Sequence, residues 1–466
     1  MFCSCRNNPD ETAINVDVCP ICLGHPGTLP VLNREAVRQV LRIGTAVGGE
    51  LANFTEWDRK NYFYPDIPKG YQISQYKFPL VSGGSLAGVE IERIHLEEDT
   101  AQSTHDTHDK SLINFNRSGR PLMELVTKPV IHDASTAASF GRELRLLLRY
   151  LGAGEASMEK GVMRVEANIS VAPTGTDKLG TKTEVKNLNS FRAVERSIVY
   201  EIDRQTSLLS QGQPIIQETR GWDDVKNETY SQRVKESSHD YRYFPEPDIP
   251  KVMLSELVEF NHLALKRSLP ELPSQRRNRY KKDYAMTSKE VEVFIESVTV
   301  ADYFENIISN FKGDLSKIRL AINYLLNNYL GKIYLGQGIT PDDLDKEIGL
   351  NRITPASFAE LIDLLANKTI SSTGANSLID LALADKKKFD HSFRIVAEEN
   401  NLIQKSNASD LAPIIEKIIA EHSSVVTEYK GGKISSLQFL IGQVMEATKG
   451  SANPEVVKKL LLEKLT

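Results

Sequence analysis

Cysteine is scarce in this sequence and confined to one end of it. The 466-residue chain has four cysteines, Cys3, Cys5, Cys19 and Cys22, and the rest of the chain has none. A chain of this length needs no disulfide framework. The pairs CSC and CPIC instead predict four thiolates around one tetrahedral zinc ion; the alternative is four reduced thiols with no common role. A site with four thiolates has no open position, so we expect it to be structural.

Long apolar runs and an excess of positive charge are also missing. No segment reaches the ~18 consecutive apolar residues of a membrane helix. The start, MFCSCRNNPD, lacks the basic and apolar regions of a signal peptide, which predicts a cytoplasmic location. The net charge of −5 argues against a globally basic nucleic-acid binder and leaves a local basic patch open.

Familiar catalytic motifs are absent as well. There is no G-x-x-x-x-G-K-[ST] phosphate loop, no G-x-S-x-G elbow and no Cys–His nucleophile pair. These absences argue against a phosphate-loop NTPase. Any ATP site must be built from other elements.

The chain changes character near residue 272. Residues 1–272 mix amphipathic helices with short alternating strands, which predicts an α+β domain with a mainly antiparallel sheet. The basic, proline-containing stretch 266–282 is typical of a boundary. From about residue 290 onward the pattern is mostly helical, and we expect no chemistry there.

Helix starts are predicted at three polar residues. Asn33 precedes a run with a 3.6-residue apolar period, as an N-cap does. Thr354 and Asn453 are followed by Pro355 and Pro454, which repeats the preference for proline at the first helical position.

Two segments of alternating residues carry unusual polar faces. In MEKGVMRVEANISV (158–171), one face has Arg164, Glu166, Asn168 and Ser170. In TKTEVKNLNSF (181–191), the polar face includes Glu184 and Lys186. Each segment alone is also explained as the solvated face of a strand.

A second pair of segments strengthens the case for a site. RIHLEED (93–99) places His95 and Glu97 on one side of a strand. GRPLMELVTKP (119–129) contains Glu124 between Met123 and Leu125, and we expect this carboxylate to be buried and therefore paired or metal-bound.

Carboxylates and lysines on one sheet face suit Mg²⁺ and phosphate. The sequence thus predicts an ATP site without a phosphate loop. Our candidate catalytic residues are His95, Glu97, Glu124, Glu166, Glu184 and Lys186, with Glu124 and Glu166 as magnesium ligands.

Aromatic and basic residues alternate in DRKNYFYPDIPKGYQISQ (58–75) and again in SHDYRYFPEPDIP (238–250). Such residues stack and hold the terminal nucleotides of an RNA, although a loop that packs its rings on the core has the same composition. The candidates for binding a tRNA 3′ end are Arg59, Lys60, Tyr62, Tyr64, Tyr71, Gln72 and Arg242.

Taken in order, six segments resemble the GatB family, the B subunits of aspartyl/glutamyl-tRNA amidotransferases: DRKNYFYPDIPKGYQISQ, HLEEDTAQSTH, MEKGVMRVEANIS, KNLNSF, QETRGWDD and HDYRYFPEPD. The ending, QVMEATKGSANPEVVKKLL, is similar to a tail domain shared with YqeY-type proteins. The resemblance implies a glutamine-synthetase-like cradle (1–272, with the zinc site), a helical domain (273–395) and a YqeY-like helical tail (396–466).

The resemblance also implies an activity. Members of the family work with a GatA amidase and a GatC subunit as a heterotrimer. They use ATP and Mg²⁺ to phosphorylate the side-chain carboxylate of Glu-tRNA(Gln) or Asp-tRNA(Asn). Ammonia from glutamine then displaces the phosphate. The chain is thus expected to be a ligase subunit of protein biosynthesis.

One departure from the family keeps alternatives open. Relatives carry a strand with a Gly-hydrophobe-Glu-hydrophobe-His pattern before the first cysteine pair, whereas this sequence starts at MFCSC. Without that strand we expect a gap in the sheet and a weaker magnesium site. The alternatives are a non-catalytic tRNA-binding zinc protein and a free-standing glutamine-synthetase-like ligase that acts on a small amino acid.

Overall fold

The protein is described by a computed structural model. The structure describes residues 1–105, 110–234, 241–333, 350–384, 389, 391–404, 407–448 and 452–465. The chain divides into two compact units, Met1–Pro273 and Ser274–Thr466. The first unit mixes strands and helices, and the described part of the second consists of helices and two isolated β-bridges. This agrees with the predicted order of an α+β part and a helical part, whereas the cradle shape and the division at residue 395 stay predictions.

The first unit contains short strands joined by turns. Its strands are β1 (Glu50–Leu51), β2 (Phe54–Thr55), β3 (Asp58–Asn61), β4 (Tyr71–Ser74), β5 (Val81–Ser82), β6 (Ser85–Leu86), β7 (Val89–Glu98), β8 (Gln102–His105), β9 (Ser111–Asn114), β10 (Pro121–Thr127), β11 (Val165–Ile169), β12 (Thr183–Leu188), β13 (Glu218–Asp223), β14 (Glu228–Val234), β15 (Phe244–Pro245) and β16 (Val252–Met253). Its helices are α1 (Arg34–Ala46), α2 (Ala134–Tyr150), α3 (Phe191–Ser210) and α4 (His262–Arg267).

The central sheet of the first unit is antiparallel. Its strand order is β1-β5-β7-β10, and β6 also pairs with β7. Ile94 and Leu96 of β7 are buried in the main core with Val40 and Leu41 of α1. Because side chains alternate along a strand, the residues between them face the other way. Antiparallel pairing then sets Glu124 of β10 opposite His95 of β7.

A second sheet has the order β11-β12-β13-β14, and only the β12–β13 pair is parallel. Val185 and Trp222 of this sheet pack in one core with Val194 and Ile198 of α3. The opposite face of β11 and β12 therefore carries polar side chains. Three small ribbons, β15-β3-β4, β16-β2 and β8-β9, complete the described sheets.

The helical unit contains two of the three helix starts predicted from capping residues. Its helices are α5 (Pro273–Tyr284), α6 (Ser288–Ile295), α7 (Val298–Ile308), α8 (Leu315–Tyr324), a π-helix (Leu325–Leu330), α9 (Pro355–Ala366), α10 (Ser372–Ala384), α11 (Phe393–Glu399), α12 (Ala408–Glu421), α13 (Ser423–Lys430), α14 (Ser435–Ala447) and α15 (Pro454–Leu465). The Thr354 side chain accepts a hydrogen bond from the Ser357 backbone, and the Asn453 side chain accepts one from Glu455. Asn33 caps α1 in the same way, so all three predicted caps are confirmed.

Apolar packing dominates this helical unit. Tyr280, Phe294 and Phe304 form one group of mutually contacting rings. A separate core between residues 411 and 465 contains Leu440 and Leu461. Among the described residues, no helix combines the length and the apolarity needed to cross a membrane.

Candidate functional site

Two carboxylates and an imidazole converge on the central sheet. His95 and Glu97 project from β7, and Glu124 projects from β10. The His95 Nε2 atom lies 3.8 Å from a Glu97 oxygen and 3.7 Å from a Glu124 oxygen. We call these three residues the acid–histidine cluster. One donor atom from each lies within 4.8 Å of the others, close enough for a single metal ion.

The expectation that Glu124 is buried is wrong. Its side chain is 45% exposed, whereas those of His95 and Glu97 are 5% and 7% exposed. The apolar neighbours of Glu124 were misleading because Met123 and Leu125 pack against the main core, whereas Glu124 projects from the opposite face of β10. An open carboxylate beside two buried groups leaves room for a ligand.

Glu97 is held as a charged carboxylate. Burial by itself would raise its pKa, but the interactions with His95 and the positive charge of Lys60 outweigh it and lower the pKa of Glu97. Ser74 on β4 donates a hydrogen bond of 2.8 Å to the same carboxylate. Sequence reasoning missed Ser74, because its closeness to Glu97 depends on how β4 packs against β7.

The cluster fits a divalent cation. Two carboxylates supply hard oxygen donors, and the His95 Nε2 atom supplies a nitrogen donor. The buried Nδ1 atom of His95 has no hydrogen-bond partner among the described residues. The distances to the two carboxylates are those of Nε2, so the fit to a cation rests on Nε2 and the carboxylate oxygens and not on Nδ1.

The second sheet carries a separate charged group. Lys186 Nζ lies 3.1 Å from Glu166 and 3.6 Å from Glu184, and Thr219 donates a hydrogen bond of 3.0 Å to Glu184. We call Glu166, Glu184 and Lys186 the lysine cluster. Burial would lower the pKa of Lys186, but the two carboxylates outweigh it and raise the pKa. The ammonium group is therefore charged at neutral pH.

The predicted site residues thus fall into two groups rather than one. Glu124 lies with His95 and Glu97, while Glu166 pairs with Lys186 on another sheet. The assignment of Glu166 as a magnesium ligand stays a prediction.

Lys60 lies near the acid–histidine cluster, and Tyr241 lies near the lysine cluster. Lys60 Nζ is 5.1 Å from the centre of the Tyr241 ring, and its charge contributes to lowering the pKa of Glu97. Tyr241 in turn contributes to raising the pKa of Lys186. Lys60 has no ion-pair partner within 4 Å in the described part of the chain, so its charge is available to an anionic ligand.

The other aromatic and basic candidates have mixed surroundings. The Arg59 guanidinium donates hydrogen bonds of 2.7 and 2.9 Å to the buried Glu246 and lies over the Tyr71 ring. Tyr62 donates to Gln72, which is 4% exposed. These contacts stabilise the loop from its inner side, and they involve Arg59, Tyr71, Tyr62 and Gln72.

Exposed rings remain on the outside of this loop. Tyr64 is 52% exposed and Phe63 is 88% exposed. Arg242 is also exposed, with a backbone φ of +43°. The start of the HDYRYFPEPD segment, residues 239–240, lies outside the described residues. Sequence reasoning left Phe63 out of its candidates, although a phenylalanine in a polar loop is itself a signal.

The four cysteines come together at the N-terminal loop. The Cys22 sulfur lies 3.3 Å from that of Cys3, 3.7 Å from that of Cys19 and 3.9 Å from that of Cys5. All four are free. A tetrahedral ion with Zn–S bonds of about 2.3 Å separates its sulfurs by about 3.8 Å. The spacing fits a structural zinc, and the four residues form the cysteine cluster.

The candidate sites therefore all lie in the α+β unit, as in an enzyme with a catalytic domain followed by a helical domain. Comparisons with known families divide the chain in a similar way. The GatB/GatE catalytic domain matches residues 1–259, and the GatB domain matches residues 302–465. The second family model also carries the YqeY name, in agreement with the predicted likeness of the tail.

Curated relatives match along the whole chain. Proteins named as the B subunit of aspartyl/glutamyl-tRNA(Asn/Gln) amidotransferase from Thermoanaerobacter pseudethanolicus and Persephonella marina are each 39% identical, over 100% of this chain and 96% and 95% of their own lengths. A protein of the same name from Gloeothece citriformis is 38% identical over 100% of this chain and 94% of its own. The chain belongs to the GatB family.

Proposed function

We propose that this chain activates the side-chain carboxylate of Glu-tRNA(Gln) or Asp-tRNA(Asn) with ATP, as the B subunit of a tRNA-dependent amidotransferase. The observation that carries the proposal is the acid–histidine cluster with Lys60 beside it, a lysine that has no ion-pair partner within 4 Å among the described residues. Family membership makes the chain a subunit of a ligase-type amidotransferase, and the cluster supplies a site for the activating step.

The chemistry explains why charged groups are needed. A carboxylate is a poor acyl donor, because its leaving group would be oxide. Its oxygen attacks the γ-phosphorus of ATP, the bond to ADP breaks, and an acyl phosphate forms. Ammonia then attacks the acyl carbon, and the bond to phosphate breaks to give the amide and inorganic phosphate.

The residues of the site have separate roles in this proposal. His95, Glu97 and Glu124 would hold Mg²⁺, which when bound neutralises phosphate oxygens. The ammonium groups of Lys60 and Lys186 balance negative charge on the transferred phosphoryl group. Phe63 and Tyr64 stack on the terminal bases of the tRNA. The cysteine cluster would bind zinc and hold the N-terminal loop.

The proposed activity requires partner subunits. Glutamine hydrolysis needs an amidase, which we assign to a GatA subunit, and a GatC subunit completes a heterotrimer in the cytoplasm. The helical tail would contact the tRNA body. Removing residues 396–466 is therefore expected to weaken tRNA binding more than ATP binding.

Two other functions are less well supported. A non-catalytic tRNA-binding zinc protein does not require a buried imidazole, a buried carboxylate and an exposed carboxylate that converge on one point. A ligase for a small amino acid would have no use for exposed rings beside its site.

The test uses the full chain assembled with its amidase and third subunit. Glu-tRNA(Gln) should stimulate ADP formation from ATP, whereas uncharged tRNA and free glutamate should not. With the glutamyl side-chain oxygens labelled with ¹⁸O, one label should appear in the phosphate released. ADP formation that ignores the aminoacyl group, or phosphate without the label, would count against the proposal.

A further inference from the structure

Asp99 joins several segments at the end of β7. Its side chain is 8% exposed. Oδ2 accepts hydrogen bonds from Nε (3.1 Å) and Nη2 (2.6 Å) of Arg117, and Oδ1 accepts one of 2.8 Å from Arg164 Nη2. The Thr100 amide donates to Oδ1 at 2.9 Å, and the Asp99 amide donates to the Arg120 carbonyl at 2.7 Å. The carboxylate is therefore fixed in position.

The bond to Arg164 connects the two sheets beside the site. Asp99 directly follows β7 of the central sheet, two residues after Glu97. Arg164 directly precedes β11 of the second sheet, two residues before Glu166. In the described part of the chain, these two sheets share no paired strand. The ion pair thus ties together the strand ends nearest to the acid–histidine cluster and the lysine cluster.

We propose that Asp99 is a positioning residue, which holds Arg164 and so sets the separation between the acid–histidine cluster and the lysine cluster. This inference rests on the proposed function, because both clusters must act on one phosphoryl group for their separation to matter. Asp99 itself touches neither ATP nor the aminoacyl group in this account.

The ion pair is poorly placed to act as a simple stabiliser. The Arg164 side chain is 52% exposed, and exposed ion pairs add little to stability. Arg117 is 25% exposed, and its two hydrogen bonds to Asp99 do not involve Arg164. Apolar packing through α2 still holds the two sheets together, so loss of Arg164 should break this polar link alone without leaving a buried carboxylate unpaired.

The experiment compares Asp99→Asn, Arg164→Gln and the double variant in the assembled enzyme. Each single change should lower kcat for Glu-tRNA-dependent ADP formation roughly 10- to 100-fold, because small misplacements of reacting groups are costly. KM for ATP and for Glu-tRNA should stay within about threefold. Glutamine hydrolysis by the partner should be unchanged. The double variant should be no slower than Asp99→Asn, because both changes break the same link.

Arg93→Gln is the matched control, since Arg93 lies on β7 and pairs with its neighbour Glu92; it should retain full activity. An unchanged kcat in Arg164→Gln, or single losses that multiply in the double variant, would overturn the inference. Should Asp99→Asn fail to fold, Arg164→Gln decides alone. A wild-type enzyme without Glu-tRNA-dependent ADP formation would instead defeat the proposed function.

Discussion

Two buried tyrosines of the helical unit and the acid–histidine cluster of the first unit differ in what their polar atoms face. In the helical unit, the buried Tyr303 hydroxyl donates to the Ile353 carbonyl, and that of Tyr329 donates to the Leu350 carbonyl, each at 2.7 Å. In the first unit, His95 and Glu97 are buried with their ligand-binding atoms turned toward an exposed carboxylate. Both candidate metal-binding groups of the described residues lie in this unit.

The difference indicates which polar residues serve the fold and which serve a ligand. A tyrosine that donates to a nearby carbonyl is satisfied within the protein. Carboxylates gathered around an imidazole cost stability unless an ion or a substrate joins them. If this interpretation is right, changes in the two units should affect different properties.

The largest effect is expected at Glu124. Glu124→Gln keeps the size of the side chain but removes a charge from the acid–histidine cluster. Amidation should fall roughly 10²–10³-fold, because the phosphoryl group loses electrostatic stabilisation. The control is Glu90→Gln, which removes an exposed carboxylate paired with Lys128. Amidation assays that show equal losses for both variants would contradict the separation of roles.

The next effect is expected in the cysteine cluster. Cys22→Ser should release zinc and lower the thermal midpoint of the first unit by about 10 °C, because metal-binding energy contributes to folding. Zinc content by elemental analysis and unfolding by calorimetry measure the two changes. His25→Ala lies in the same loop, outside the cluster, and should keep its zinc. A zinc-free wild-type protein with an unchanged midpoint in Cys22→Ser would show that the thiols are not a metal site.

A smaller effect is expected in the lysine cluster. Lys186→Met removes the ammonium group beside Glu166 and Glu184, and kcat for amidation should fall roughly 10- to 100-fold. Lys182→Met is the control, because Lys182 is exposed and precedes β12. Steady-state kinetics with Glu-tRNA compare Lys186→Met with Lys182→Met. Equal rates for wild type and Lys186→Met would show that the lysine cluster takes no part in the reaction.

The smallest effect is expected in the helical unit. Two hydrogen bonds from Arg319 lower the pKa of Glu290 from 4.5 to about 2. A lowered pKa in the folded state stabilises the protein above pH 4.5, and this stabilisation is lost as the pH falls toward 2. Glu290→Gln keeps the helix cap and should cost about 1 kcal/mol of unfolding free energy at pH 7, after discounting for solvent screening.

Denaturant unfolding at pH 7 and pH 2.5 measures this difference. The cost of Glu290→Gln should shrink at the lower pH, and amidation at pH 7 should not change. Glu296→Gln, at the exposed end of the same helix, should be neutral at both. A cost that is independent of pH would contradict the assigned role of the ion pair.

Local features of the fold were predictable from the sequence. Asn33, Thr354 and Asn453 cap helices because capping depends on residues two or three positions away. The convergence of Glu124 with His95 and Glu97 follows from pairing two neighbouring antiparallel strands. The cysteine cluster follows from spacing within 22 residues.

Relations between distant segments were not predictable. Alternation shows that Glu166 shares a face with Arg164, but not which sheet lies opposite. Arg59 was predicted to bind RNA, yet its partner Glu246 follows 187 residues later. In each case, the contacts of a side chain depend on packing between segments that are far apart in the sequence, and local sequence patterns do not predict such contacts.

Our proposal assigns the divalent ion to the acid–histidine cluster, whereas the sequence-based prediction includes Glu166 of the lysine cluster among its ligands. Binding of Mn²⁺ to the assembled enzyme, followed by electron paramagnetic resonance, tests it most directly. Glu124→Gln should weaken the affinity for Mn²⁺ at least about tenfold, because a charged ligand is lost. Glu166→Gln should leave the affinity within about twofold, because Glu166 would not touch the ion. Weaker binding in Glu166→Gln with unchanged binding in Glu124→Gln would contradict the account.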